Sequence, residues 1–103
     1  MFVGTLTLDL LLGDVHSLKQ KRSVIRPVVA ELRKSFEVSA AETGHLDLHR
    51  RSEVSVGLVA ADAQHCREVL AACEAKVARR PELDLLAARV RVWNGNDDVL
   101  EQA

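Results

Sequence analysis

From Phe2 to Leu12 the even positions Phe2, Gly4, Leu6, Leu8, Leu10 and Leu12 are apolar or small, while Val3, Thr5, Thr7 and Asp9 take the alternate places. A period of two predicts a strand with one buried face. Gly13 and Asp14 then read as a turn, and Ser17 with Gln20 reads as a capping box that opens a helix near Leu18. Leu18, Ile25, Val28, Val29, Leu32 and Phe36 recur at helical spacing, leaving Lys19, Arg22, Arg26 and Arg33 largely on the other side. Pro27 interrupts this pattern, since it lacks an amide and costs about 3 kcal/mol inside a regular helix. The apolar register continues across it, which predicts one kinked helix rather than two.

A second strand is expected from about Glu37 to Gly44, with Val38 and Ala40 inward and Ser39 and Ala41 outward. His45 to Arg51 reads as a hairpin connection long enough to be mobile. Val54, Val56 and Leu58 alternate with Glu53, Ser55 and Gly57, giving a third strand that runs to about Ala61. Asp62 caps a second helix whose stripe is Cys66, Val69, Leu70, Cys73 and Val77, and Arg79, Arg80 and Pro81 end it. In the fourth strand Leu86, Ala88, Val90 and Val92 alternate with Arg89, Arg91 and Trp93, and Asn94 to Asp98 form a polar exit.

Strand, helix, strand, strand, helix, strand is the split βαβ order of ferredoxin-like folds. Two right-handed crossovers place both helices on one face of a four-stranded antiparallel sheet, with the first and third strands central and the other face left open. The chain of 103 residues accommodates one such α/β domain, with an ordered core expected from about residue 2 to residue 94. No export or membrane-spanning pattern is read in it. Cys66 and Cys73 stand about 10 Å apart along a helix, too far for a disulfide, so no disulfide partner and a reduced cytoplasmic setting are expected.

A net charge of -1 argues against a generic polyanion binder, but the cations are unevenly placed. Between Leu18 and Lys34 the only acidic residue is Glu31, against Lys19, Lys21, Arg22, Arg26, Arg33 and Lys34. A locally basic surface built from Lys19, Lys21, Arg22, Arg26, Arg50 and Arg51 is therefore the candidate contact for ribosomal or structured RNA. The alternative is an interaction module, either homo-oligomeric or for a partner protein, using the free sheet face at Arg89, Arg91 and Trp93. That face carries Thr5, Thr7, Ser39, Ser55 and Gly57 rather than paired central aromatics, and RNA stacking there is disfavoured.

The remaining chemistry-bearing residues yield no catalytic assignment and no cofactor. His45, Asp47 and His49 share parity in an extended segment, but the spacing lacks a zinc signature and a fourth ligand, so no metal is assigned. Both cysteines belong to the apolar helix stripe, and neither Ser17 nor Ser23 sits in a nucleophile elbow. Small acyl-phosphate hydrolases share the fold. This chain lacks their phosphate-cradling loop joined to an arginine and a water-positioning asparagine, and an enzyme is not expected.

Three ordered segments carry a family resemblance: Val15 to Arg22 (VHSLKQKR), Val38 to Glu42 (VSAAE) and His45 to Arg51 (HLDLHRR). Together they resemble the small bacterial family called YlxP-like, over nearly the whole chain. The resemblance implies a cytoplasmic ferredoxin-like protein whose genes commonly lie beside those for ribosome maturation and translation initiation. It carries no catalytic residue onto this chain.

Overall fold

In a computed structural model, which describes residues 1–96, β1 (Phe2–Leu12) pairs with a strand on each side. The other elements are α1 (Leu18–Ser35), β2 (Ser39–Gly44), β3 (Arg51–Ala60), α2 (Ala63–Ala78) and β4 (Leu83–Asn94). The sheet order is β2-β3-β1-β4, and every neighbouring pair is antiparallel. Both helices cover one face, as the ferredoxin-like order requires.

The local signals act as expected at the helix starts. Ser17 Oγ accepts from the Gln20 amide at 3.1 Å, and Asp62 accepts from the His65 amide at 2.7 Å. In return Gln20 Oε1 accepts from the His16 amide, one residue earlier than in a standard capping box, at 2.6 Å. α1 runs through Pro27 as a single helix.

The core is a single layer between sheet and helices. Leu6, Leu8, Leu10 and Leu12 are fully buried and face Ile25, Val28 and Leu32 of α1 and Cys66, Leu70, Cys73 and Val77 of α2. Each such side chain contributes roughly 1.5–3 kcal/mol by leaving water. At Gly4 the sheet meets α2 so closely that an added Cβ would lie 3.0 Å from Leu70 Cδ1 and 3.1 Å from Cys66 Cβ.

Three boundaries differ from those read in the sequence. β2 starts at Ser39, because Phe36 caps α1 and the Val38 amide turns back to the Phe36 carbonyl at 3.0 Å. β4 starts at Leu83, and its register against β1 shifts between Asp9, opposite Ala87, and Leu10, opposite Leu85. Leu86 is the extra residue of that bulge and is 48% exposed, which corrects its expected inward place. Arg51 belongs to β3, so the connection is 45–50, and it is pinned rather than loose. The Leu12 amide donates to the Arg50 carbonyl at 2.8 Å, and Leu48 donates to the His45 carbonyl at 3.0 Å. Asn94 to Asn96 form the expected polar exit as far as they are described; Asp97 and Asp98 lie outside the described residues.

Candidate nucleic-acid interface

α1 presents Lys19, Arg22 and Arg26 to solvent, and none of the three makes an ion pair or hydrogen bond among the described residues. Their spacing of three and four residues stacks them along one side of the helix over about 10 Å. Arg22 and Arg26 form a ridge between two shallow depressions. One is bounded by Lys19, Ser23 and Pro27. The other, of about 490 Å³, lies between α1 and β2 and is lined by Ile25, Val29, Arg33 and Ala41. Arg33 borders this groove with Nη2 donating to the Ala40 carbonyl at 2.6 Å.

Lys21, also expected on this surface, points the other way. It is 2% exposed, with Nζ 2.8 Å from Glu42 Oε2 and donating to the His45 carbonyl at 2.6 Å. Ser52 Oγ donates to the same carboxylate oxygen at 2.7 Å. Lys21, Ile25, Val28 and Leu32 share the buried side of the helix at intervals of four, three and four. Lys21 is thus an internal cation and leaves the contact surface. Its carbonyl partner, His45, has a φ of 55°, a left-handed conformation uncommon outside glycine, and the ammonium ties down this strained entry to the hairpin.

Arg50 and Arg51 do not extend the ridge as one patch. Arg50 is exposed, but its Nε donates to the carbonyls of Leu12 at 3.1 Å and Gly13 at 2.8 Å, clamping the hairpin to the end of β1. Arg51 begins β3 with its side chain on the open sheet face, where Nη2 contacts both Asp9 carboxylate oxygens at 2.7 Å. Arg50 ends the connection and Arg51 opens the strand, and their separate partners hold the two side chains apart.

On the open face, Arg89, Arg91 and Trp93 lie opposite Thr7, Thr5 and Val3. The Arg91 guanidinium carbon stands 5.6 Å from the Trp93 ring centroid, so one face of the half-buried indole is already occupied. Around the hairpin, His45 Nε2 is 3.8 Å from Asp9 Oδ1, and Asp47 and His49 are exposed. Among the described residues no three His, Cys, Asp or Glu side chains converge on a metal position. No helix there is long and apolar enough to cross a membrane.

Cys66 and Cys73 are both free and fully buried. Burial pushes the Cys73 thiol up from 9.0 to about 11. The folded chain therefore holds this proton more tightly than the unfolded chain. The resulting stabilisation is intact below pH 9.0 and is lost as pH rises toward 11. Urea denaturation across that window is expected to show a steeper loss for the unsubstituted chain than for Cys73→Ala; parallel losses would remove the thiol as the cause.

Fold and surface define a small ferredoxin-like α/β protein with a basic helix ridge and an open sheet face. Residues 3–90 match the family described as "Protein of unknown function (DUF503)", and the chain belongs to that family. It is also similar to "Uncharacterized protein YlxP" of Bacillus subtilis (strain 168), with 24% identity over 87 residues covering 84% of this chain and 95% of that protein.

Proposed function

We propose that this protein is a cytoplasmic, non-catalytic RNA-associated accessory protein that contacts ribosomal or structured RNA through the α1 ridge. The observation that carries this reading is the sorting of cations. Lys21, Arg51 and Arg80 are held by carboxylates, and Arg33 and Arg50 by backbone carbonyls; among the described residues Lys34, Arg67, Lys76, Arg79, Arg89 and Arg91 also lack an ion pair or hydrogen bond, but Lys19, Arg22 and Arg26 form a row of three along one side of α1. Cations without internal partners on a fixed helix are available to phosphates without first breaking an ion pair. The apolar floor of the adjoining groove, from Ile25, Val29 and Ala41, gives a base or sugar a surface to lie against. The setting beside translation genes, implied by the family resemblance, is in keeping with this partner.

Binding to ribosomal particles and structured ribosomal RNA fragments over a salt series tests the reading. Combined replacement of Lys19, Arg22 and Arg26 by alanine is expected to flatten the salt dependence by about 2–3 in log–log slope. The same loss of charge at Arg67, Lys76 and Arg79 is expected to leave most of it in place. Equal responses of the two variants, or no binding at any salt concentration, would overturn the proposal.

A further inference from the structure

We propose that two copies of this chain associate through antiparallel pairing of their β4 edges, in the register that sets Asp84 of each copy opposite Arg89 of the other. β4 is a 12-residue edge strand bonded on one side only, to β1. Among the described residues, nothing beyond the β1 ladder bonds to its backbone from Asp84 to Val92. The opposite edge is protected: β2 has six residues and a register break, and Arg33 covers the Ala40 carbonyl. β4 has neither proline nor lysine, the usual guards of a long edge. It leaves Val90 45% exposed next to small alanines that obstruct nothing.

The bulge selects the register. Before it, Leu83 and Leu85 lie on the helix side, opposite Leu12 and Leu10, and Asp84 lies on the open side, opposite Leu11. After it, Ala88 and Val90 lie on the helix side, opposite Leu8 and Leu6, and Arg89 lies on the open side, opposite Thr7. Each strand thus changes parity at Leu86. A two-fold axis between Leu86 and Ala87 matches like faces throughout, placing Asp84 against Arg89, Leu85 against Ala88 and Leu83 against Val90 of the second copy. Symmetry makes each contact twice. A two-fold at Val90 would instead set Arg89 against Arg91, a like-charge pairing. Asp84 and Arg89 are both exposed and have no ion-pair partner among the described residues. The charges complement a second copy, and they name it as the occupant of this edge.

Sedimentation equilibrium of nuclease-treated protein over a dilution series tests the proposal without reference to RNA. The unsubstituted chain is expected to approach twice the mass of one chain, with β4 amide exchange slowing as concentration rises. Arg89→Asp and Asp84→Arg alone are each expected to weaken association about tenfold, since two symmetry-related pairs turn from attraction to repulsion. The combined swap is expected to restore it, with circular dichroism unchanged in all three variants. A monomer at every concentration would overturn the proposal. So would single variants that associate like the unsubstituted chain, a swap that restores nothing, or association lost only with Trp93→Ala.

Discussion

Lys21→Ala is expected to lower the free energy of unfolding by about 3 kcal/mol, the cost of breaking a buried ion pair from one side. The ammonium is 2.8 Å from Glu42 and 2.6 Å from the His45 carbonyl, and its removal takes a donor from each and leaves the carboxylate without its counter-charge. Among the described residues Glu42 then keeps only Ser52 as a donor, and the carbonyl of the left-handed His45 keeps only the Leu48 amide. Lys21→Met combined with Glu42→Leu is expected to recover most of the loss, because two apolar side chains at these inward positions remove the charge without leaving it unpaired. Urea denaturation of the single and double variants reads this coupling directly. The folded Lys21→Met variant is also expected to bind RNA as well as the unsubstituted chain, whereas Arg22→Ala is not. Equal RNA losses from these two would return Lys21 to the contact surface.

Gly4→Val is expected to cost about 3 kcal/mol, and Gly4→Ala about half of that. The added Cβ meets Cys66 Cβ at 3.1 Å, and that atom moves only if α2 moves. Leu70 Cδ1 at 3.0 Å and Leu58 Cδ2 at 3.3 Å close the remaining directions. Thermal unfolding provides the measurement, since in a domain of this size each kcal/mol shifts the midpoint by about 4–8 °C. Unchanged midpoints for both variants would show that α2 yields at this crossing.

The strands and helices were legible because their signals are local. Leu6 to Leu12 state their own period, and Ser17 and Asp62 cap helices whose first turns lie beside them. The bulge at Leu86 was not legible. Leu86, Ala88 and Val90 continue a perfect alternation, and only the pairing with β1 reveals that Leu86 is the extra residue. Lys21 was half legible: it sits one turn before Ile25 in the buried stripe, but the carboxylate that makes an inward lysine tolerable is Glu42, twenty-one positions on. Arg50 and Arg51 look like one patch in a row of letters. Their separation follows from where β3 begins, which tertiary pairing rather than local propensity decides.

Because acidic residues elsewhere bring the net charge of the chain to -1, the positive field of the ridge is short-ranged. The Debye length at physiological ionic strength is about 8 Å, comparable with the extent of the Lys19 to Arg26 row itself. A polyanion passing farther away feels a nearly neutral particle. Capture from a distance, of the kind that draws strongly basic proteins onto any nucleic acid, is therefore weak, and the association rate depends on collisions that already bring α1 face-on to its partner. The fixed backbone of α1 spends little entropy once that orientation is reached. In the proposed role, such a surface favours RNA whose phosphates are held close together in a shape that a single helix side can meet.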